Sequence, residues 1–351
     1  MSIDTAHAAR SAGTVRASEL RAGDRVRVRS RGEILATLDG NGTAGGLPFM
    51  PEMLAFSGRT FAIDAVVHRT CDTVKTSGTS GTTRSLPGAV HLRGVRCDGS
   101  AHGGCQACCL IYWKEEWLET VSEPEAGPGS HAETGDVPHV LAKAARGEGH
   151  TEEEPVYACQ ATQMLSATCF VSARDVRPLL KDVRSRNATA REALVSLAVL
   201  VFNKWQSAST RLPRWLQIHG GASWPWYDPT GEKRRYPALD LQPDDLVEVR
   251  SRAEIESTLD EKGALRGLRF GAEMLPYCGK RARVLAKVDR IIDEKTGRML
   301  TLRDCVILED VWCEGTYRLL CRRKIYTYWR DAWLRRVEPV SAAPASPDPS
   351  C

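Results

Sequence analysis

Cys97, His102, Cys105, Cys108 and Cys109 fall within one short run, CDGSAHGGCQACC (97–109), and Cys71 lies upstream at the end of an expected strand. Thiolate and imidazole are zinc ligands at about 2.3 and 2.0 Å, and four thiolates equally suit an iron–sulfur cluster. Gly99, Gly103 and Gly104 free the backbone to fold tightly enough to bring several of these side chains onto one ion. A second set, Cys305, Cys313 and Cys321, is spaced eight apart in CVILEDVWCEGTYRLLC. There the position matching His102 is Arg318, which cannot ligate a metal. In one arrangement each set holds its own ion. Cys71, Cys97, Cys105 and Cys109 or His102 serve the first, and Cys305, Cys313 and Cys321 the second, with an open fourth position as in catalytic metals. In another, Cys97, Cys105, Cys313 and Cys321 share one centre across a pseudo-twofold axis. A site in one set only, or none with the thiols simply buried, is the third. Zinc and an iron–sulfur cluster are equally compatible with the spacing, which departs from paired C-x2-C zinc fingers except at Cys105 and Cys108. Cys169, Cys278 and Cys351 read as plain core, since cysteine packs as a small hydrophobe.

Two further groups of residues bear on chemistry. Cys159, in CQATQM, has no base beside it in sequence; a nucleophilic role needs a partner such as His150 or His219 brought by the fold, and a role as an extra ligand is the other use. Between 181 and 235 ten Lys or Arg face four acids, interleaved with Trp205, Trp215, Trp224 and Trp226. That mixture suits a phosphate, nucleic-acid or protein partner, although a solvated helix face is the plainer reading. No Gly-rich phosphate loop, His-Glu-x-x-His helix or serine elbow is present to suggest another enzyme class.

The elements that must position these residues are written twice. Ser30-Arg31, Glu33-Ile34, Thr37-Leu38-Asp39, Gly46-Leu47, Glu52-Met53-Leu54 and Gly58 recur 221 positions later, from Ser251-Arg252 to Gly279. Cys97, Cys105, Trp113, Trp117 and Leu118 recur 216 positions later as Cys313, Cys321, Trp329, Trp333 and Leu334. So many matches at fixed offsets imply a duplicated unit. DRVRVRS (24–30) and DLVEVRS (245–251) alternate apolar and polar residues, as half-buried strands do. Short helices are expected at 33–38 and 254–259, and more strands in FAIDAVVHR, ARVLAKVDR, AVHLRGV and CVILEDV. The reading is α+β: two small SH3-like barrels, each with a cysteine cluster, joined by a mainly helical middle segment. YWKEEWL (112–118) and YWRDAWL (328–334) put two Trp four apart, which predicts a terminal helix packing one aromatic face on each barrel. The expected organisation is a disordered leader (1–19), the first repeat (20–122), an acidic linker (123–155) with a short helix near 138–146, a basic middle segment (156–240), the second repeat (241–338) and a Pro/Ser-rich tail (339–351). Within the middle segment Thr189-x-x-Glu192 forms a capping-box pattern.

Composition bounds the class. The chain has 351 residues, 42% of them hydrophobic, and a net charge of +4, so it can bury a sizeable core and carries no strong general attraction for polyanions. No apolar run approaches the roughly 20 residues of a membrane span. The leader lacks a signal-peptide core, so a soluble cytoplasmic protein is expected, in which thiols stay reduced and the twelve cysteines are ligands or core rather than cystine.

RGEILATLDGNG, GLPFMPEML, VHLRGVRCDGSAHGGCQACCLIYWKEEWL, LDLQPDDLVEVRSRAEIESTLD, IIDEKTGRML and YWRDAWLRRV together resemble an uncharacterised bacterial protein family marked by the CDGSAHGGCQ string. The resemblance runs from about residue 20 to 338. It implies a role in biosynthetic or polysaccharide gene neighbourhoods and names no reaction; taken with the cysteine clusters, the expectation is a redox or metalloenzyme component with a small-molecule substrate or a pathway protein as partner. The family pattern has histidine at the position of Arg318 and glycine at that of Cys108, departures that weaken both as ligand positions here.

Overall fold

The computed structural model describes residues 20–73, 83–121, 136–172, 175–226, 228–232 and 234–337; the expected leader, tail and part of the acidic linker lie outside them. The fold is α+β, and the chain divides into two compact units. The first takes residues up to Leu200 with Ile292–Met299 and Gly315–Arg323; the second takes Val201–Ile291, Leu300–Glu314 and the chain from Lys324. Among the described residues no helix is long and apolar enough to cross a membrane.

In the first unit a curled antiparallel sheet is built from β1 (Arg25–Val28), β2 (Thr60–Val66), β3 (Ala89–Arg96), β4 (Leu110–Lys114) and β5 (Leu118–Thr120), in the order β4-β3-β2-β1-β5. Val26 and Val28 are buried between exposed Arg25 and Arg27, the alternation of a strand with one face on a core. Helix α1 (Arg31–Thr37) starts where Ser30 and Glu33 cap each other: Ser30 N–H donates to Glu33 Oε2 at 3.0 Å and Glu33 N–H to Ser30 Oγ at 3.4 Å. A short second sheet joins Thr70–Cys71, Thr83–Ser85 and Cys169–Val171. Helix α2 (Arg177–Arg184) has Pro178 in its first turn, where no N–H is needed. Helix α3 (Ala190–Ser209), whose residues to Leu200 belong here, is preceded by the expected Thr189–Glu192 capping box. The short helix anticipated near 138–146 is His139–Ala144.

In the second unit β6 (Leu246–Val249), β7 (Arg281–Lys287), β8 (Cys305–Leu308), β9 (Trp329–Arg330) and β10 (Leu334–Arg336) are ordered β9-β8-β7-β6-β10, the connectivity of the first sheet. Helix α4 (Arg252–Glu256) carries the same capping box through Ser251 and Glu254. Even the irregularity is shared. The register shifts between Ile63 and Ala65 on β2 and between Val284 and Ala286 on β7, the same positions of the duplicated sequence.

The expected terminal Trp helices are absent. Trp113 lies on β4, Glu115–Trp117 make one 3-10 turn, and Leu118 opens β5; Trp329, Asp331–Trp333 and Leu334 do the same. The run is a strand, a single turn and a strand because the indoles must enter the core between the sheet and Phe49. Phe49 meets Trp113 edge-on at 6.1 Å and Trp117 at 5.1 Å, and Phe270 meets Trp329 at 6.3 Å and Trp333 at 5.6 Å. All four Trp are fully buried.

The loops bearing the cysteines repeat a turn. Gly99 and Gly315 have φ of +70° and +69°, and each carbonyl accepts two N–H groups: His102 and Gly104 from one, Arg318 and Leu320 from the other. A Cβ at Gly99 would stand 2.1 Å from the Cys105 carbonyl oxygen, and one at Gly315 2.3 Å from that of Cys321. Gly103 and Gly104 are left-handed at +62° and +70°; Leu319 and Leu320 hold the same conformation at +53° and +59°. They tolerate it because both are buried against Leu179, Ala188 and Leu197. Gly104 has open space around it, so Gly104→Ala is expected to cost only about 1 kcal/mol, whereas Gly99→Ala collides with backbone and should cost several-fold more in thermal denaturation.

Candidate metal centre

Glu52 sits in the 3-10 turn Pro51–Phe56, and its side chain is aimed inward under the 97–105 loop. Its Oε1 lies 2.5 Å from His102 Nδ1 and accepts from Ala101 N–H at 3.2 Å and the Cys97 thiol at 3.9 Å. The side chains of Glu52 and His102 are 2% and 1% exposed, deep enough that every polar atom needs a partner. His102 Nε2 lies 3.1 Å from the Ala158 carbonyl, which only accepts, so the ring N–H is fixed on that side. One cation, a proton or a metal, must then lie between Nδ1 and the carboxylate. Glu52 Oε2 is buried with no hydrogen-bond partner.

The ligand atoms of Glu52, Cys97 and His102 all lie within 4.8 Å of one another, the one such group of three among the described residues. Further thiols surround it. Burial pushes the Cys97 thiol well above its usual range, helped by the charges of Glu52, Cys109 and Cys159. Burial does the same to Cys109, against the pull of Arg323, with Glu294, Cys159 and Cys105 adding to the rise. Cys159 is raised by burial first and is also within electrostatic reach of Cys105. Cys97, Cys105, Cys109 and Cys159 thus form one thiol neighbourhood. Cys108 borders it through Cys105 and is raised mainly by burial, while Arg96 donates to its carbonyl at 2.9 Å.

The other candidates fall elsewhere. Cys71 and Cys321 meet each other: Cys71 N–H donates to Cys321 Sγ at 3.1 Å. Cys305 is buried in β8 among Arg330, Asp304, Asp331 and Asp289, and burial pushes its thiol up to about 11. Cys313 keeps the backbone role of Cys97, its N–H donating to the Ile325 carbonyl at 2.8 Å as Cys97 donates to that of Cys109, but Ile325 and Arg318 replace the donors Cys109 and His102. Cys313 and Cys305 belong to the second unit and Cys321 to the first. Cys169, expected in a core, is exposed on its short strand, and Cys278 packs half-buried on the second core; Cys351 lies outside the described residues. His150 is engaged by the Val156 carbonyl at 2.6 Å, and His219 stacks on Trp226 at 4.2 Å in the second unit, so neither is seen beside Cys159.

Sequence reasoning missed Glu52 and gave Cys159 no firm role. The one signal for the first was that Glu52-Met53-Leu54 is repeated as Glu273-Met274-Leu275.

A separate cleft of about 1020 Å³ in the first unit is lined by Arg21, Arg177, Lys181 and Arg184 against Glu115 and Asp175, which pairs with Arg177 at 2.8 Å, with His68 and Ser185 at its wall. His68 Nε2 lies 2.9 Å from Ser185 Oγ, and burial together with the charges of Lys181 and Arg69 pushes its pKa down to about 4. Comparison with protein-family models, curated proteins and solved structures gives no match for this chain.

Proposed function

We propose that the chain is a metal-cysteinate protein in which Glu52, Cys97 and His102 hold one zinc ion. The observation that carries this reading is the convergence of three different donors within 4.8 Å around a carboxylate whose second oxygen has no partner. Mixed oxygen, sulfur and nitrogen donors suit zinc, while an iron–sulfur cluster draws on thiolates. His102 would ligate through Nδ1, and its Nε2 hydrogen bond to Ala158 is the outer contact that orients metal-bound imidazoles. Three protein ligands leave a fourth position for a neighbouring thiol, water or substrate. When bound, zinc would supply Lewis acidity, which is the basis for reading the chain as a metalloenzyme component. The matching strand orders, bulges and Trp pairs support the finer reading of the fold as two SH3-like barrels.

Metal and sulfide analysis with an absorption spectrum, on protein purified without oxygen or added metal, tests this. About one zinc per chain and no colour is the expected result. Iron with acid-labile sulfide and a band near roughly 400 nm would move the centre to Cys97, Cys105, Cys109 and Cys159. Protein that takes up neither metal would end the proposal.

A second reading, a zinc-stapled binding module, is favoured by the basic cleft, because Arg177, Lys181 and Arg184 come from the basic middle segment. It expects salt-dependent retention on a polyanion such as heparin, reduced several-fold by combined Lys181→Glu and Arg184→Glu changes. Retention indifferent to those changes would remove nucleic acid from the cleft.

A further inference from the structure

We propose that Cys71 and Cys321 are a hydroperoxide-sensitive dithiol, a modification site separate from the metal donors, that closes to a disulfide. The two residues are 250 positions apart, yet the Cys71 N–H donates to Cys321 Sγ at 3.1 Å and the Cys71 thiol is hydrogen-bonded to the same sulfur. Both are buried, at 3% and 2% exposure. Neighbouring residues anchor the two segments that carry the sulfurs. On one side, Thr70 Oγ1 lies 2.8 Å from the Tyr112 hydroxyl. On the other, Arg323 binds Glu294 at 2.7 Å and Thr73 Oγ1 at 2.6 Å. The pair is therefore preorganised by two anchored segments of one compact unit.

Its surroundings favour a thiolate. The Cys321 contact lowers the Cys71 thiol to about 6 despite burial; Arg323 and Arg318 assist, Glu294 opposes, and Arg69 lies within reach of Cys321. Guanidinium groups and a backbone N–H are what make a cysteine nucleophilic. Among the described residues no third His, Cys, Asp or Glu ligand atom joins the pair closely enough to make a metal site.

The duplication supplies a built-in control. Ile292 is the counterpart of Cys71 and Cys105 that of Cys321, and Ile292 N–H donates to Cys105 Sγ at 3.4 Å. The same crossed contact is made twice, but only one copy has sulfur on both sides.

The chemistry balances with a hydroperoxide as oxidant. The Cys71 thiolate attacks the peroxide O–O bond and takes one oxygen to become a sulfenic acid, and the other oxygen leaves as alcohol or water with the proton. Cys321 then attacks the sulfenic sulfur, the S–S bond forms, and water departs. Two thiols lose two electrons and two protons, and the peroxide is reduced.

The test uses the full chain, purified without oxygen, treated with stoichiometric hydrogen peroxide, quenched in acid and mapped by differential alkylation and mass spectrometry. The expected product is one Cys71–Cys321 linked peptide, reversed by dithiothreitol and still formed in Cys97→Ser. It should form at least about tenfold faster than Cys278 or Cys305 reacts, since burial pushes both those thiols up to about 11. The Ile292→Cys variant should gain a second link, to Cys105. Cys71 and Cys321 surviving as thiols while other cysteines oxidise would overturn the proposal. So would their becoming reactive only after a chelator strips a metal, which would make them ligands.

Discussion

Cys97→Ser is expected to take bound zinc from about one ion per chain to near zero, and to lower the melting temperature of the protein by roughly the amount that chelation lowers it. A ligand at a thousandfold excess over its dissociation constant stabilises a fold by about 4 kcal/mol, which for a unit of this size is on the order of 10 °C. Glu52→Gln keeps a polar group beside His102 Nδ1 but removes the charge, and a loss of at least about tenfold in affinity is expected. Glu273→Gln is the internal control. Its neighbourhood in sequence has Arg318 and Ile325 where the first repeat has His102 and Cys109, so zinc content should not change. The pH dependence has a definite sign. Burial holds Cys97 protonated well above the usual thiol range, and the metal-bound form must be thiolate, so binding releases that proton and tightens as pH rises. Competition against a chromophoric chelator between about pH 6.5 and 8.5 should show log K climbing by about one per pH unit for each proton released. A flat profile would remove Cys97 from the ligand set.

Much of the scaffold is legible in the sequence because it rests on local rules. Thr189 with Glu192 announces a helix start, since the cap satisfies its partner's N–H three residues away, and the structure shows Ser30 with Glu33 and Ser251 with Glu254, read in the sequence only as repeat matches, obeying the same rule. The alternation in DRVRVRS fixes which face of β1 is buried. The aromatic runs misled because a spacing of four suits one helical face, yet one Trp on a strand and one in the following turn can enter the same core. Glu52 was illegible for a different reason. A carboxylate in a turn carries no sign that His102, fifty positions on, will close over it. Likewise nothing local links Cys71 to Cys321, and two leucines in left-handed conformation at 319 and 320 contradict the preference their side chains impose. The repeat itself was the missing evidence, because Gly103-Gly104 in the other copy shows what conformation that turn requires.

Replacing the core indoles should give the largest stability losses in the chain. Trp117→Ala and Trp333→Ala each remove a fully buried ring that packs edge-on against Phe49 or Phe270, and each is expected to cost about 3–5 kcal/mol. The cores they belong to share no residue, so the two losses should add in the double variant. Their indole N–H groups donate to Thr37 and Thr258 Oγ1, both at 3.0 Å, so the two copies should respond alike. The other pair should not. Trp329 Nε1 donates to Thr327 Oγ1 at 2.9 Å, but Ile111 stands at the matching position, and Trp113 Nε1 is buried with no acceptor. Trp329→Phe loses a satisfied hydrogen bond, whereas Trp113→Phe removes a donor that had none, so the former should cost more by about 1–2 kcal/mol in urea denaturation. Ile111→Thr then becomes informative. If the first core has room to repeat the second, the added hydroxyl should offset part of its own burial cost by meeting Trp113, and Trp113→Phe in that background should become as costly as Trp329→Phe. Equal losses for the two Phe variants in the unaltered chain would mean that the indole N–H of Trp113 already finds a partner, and the asymmetry between the copies would then lie elsewhere.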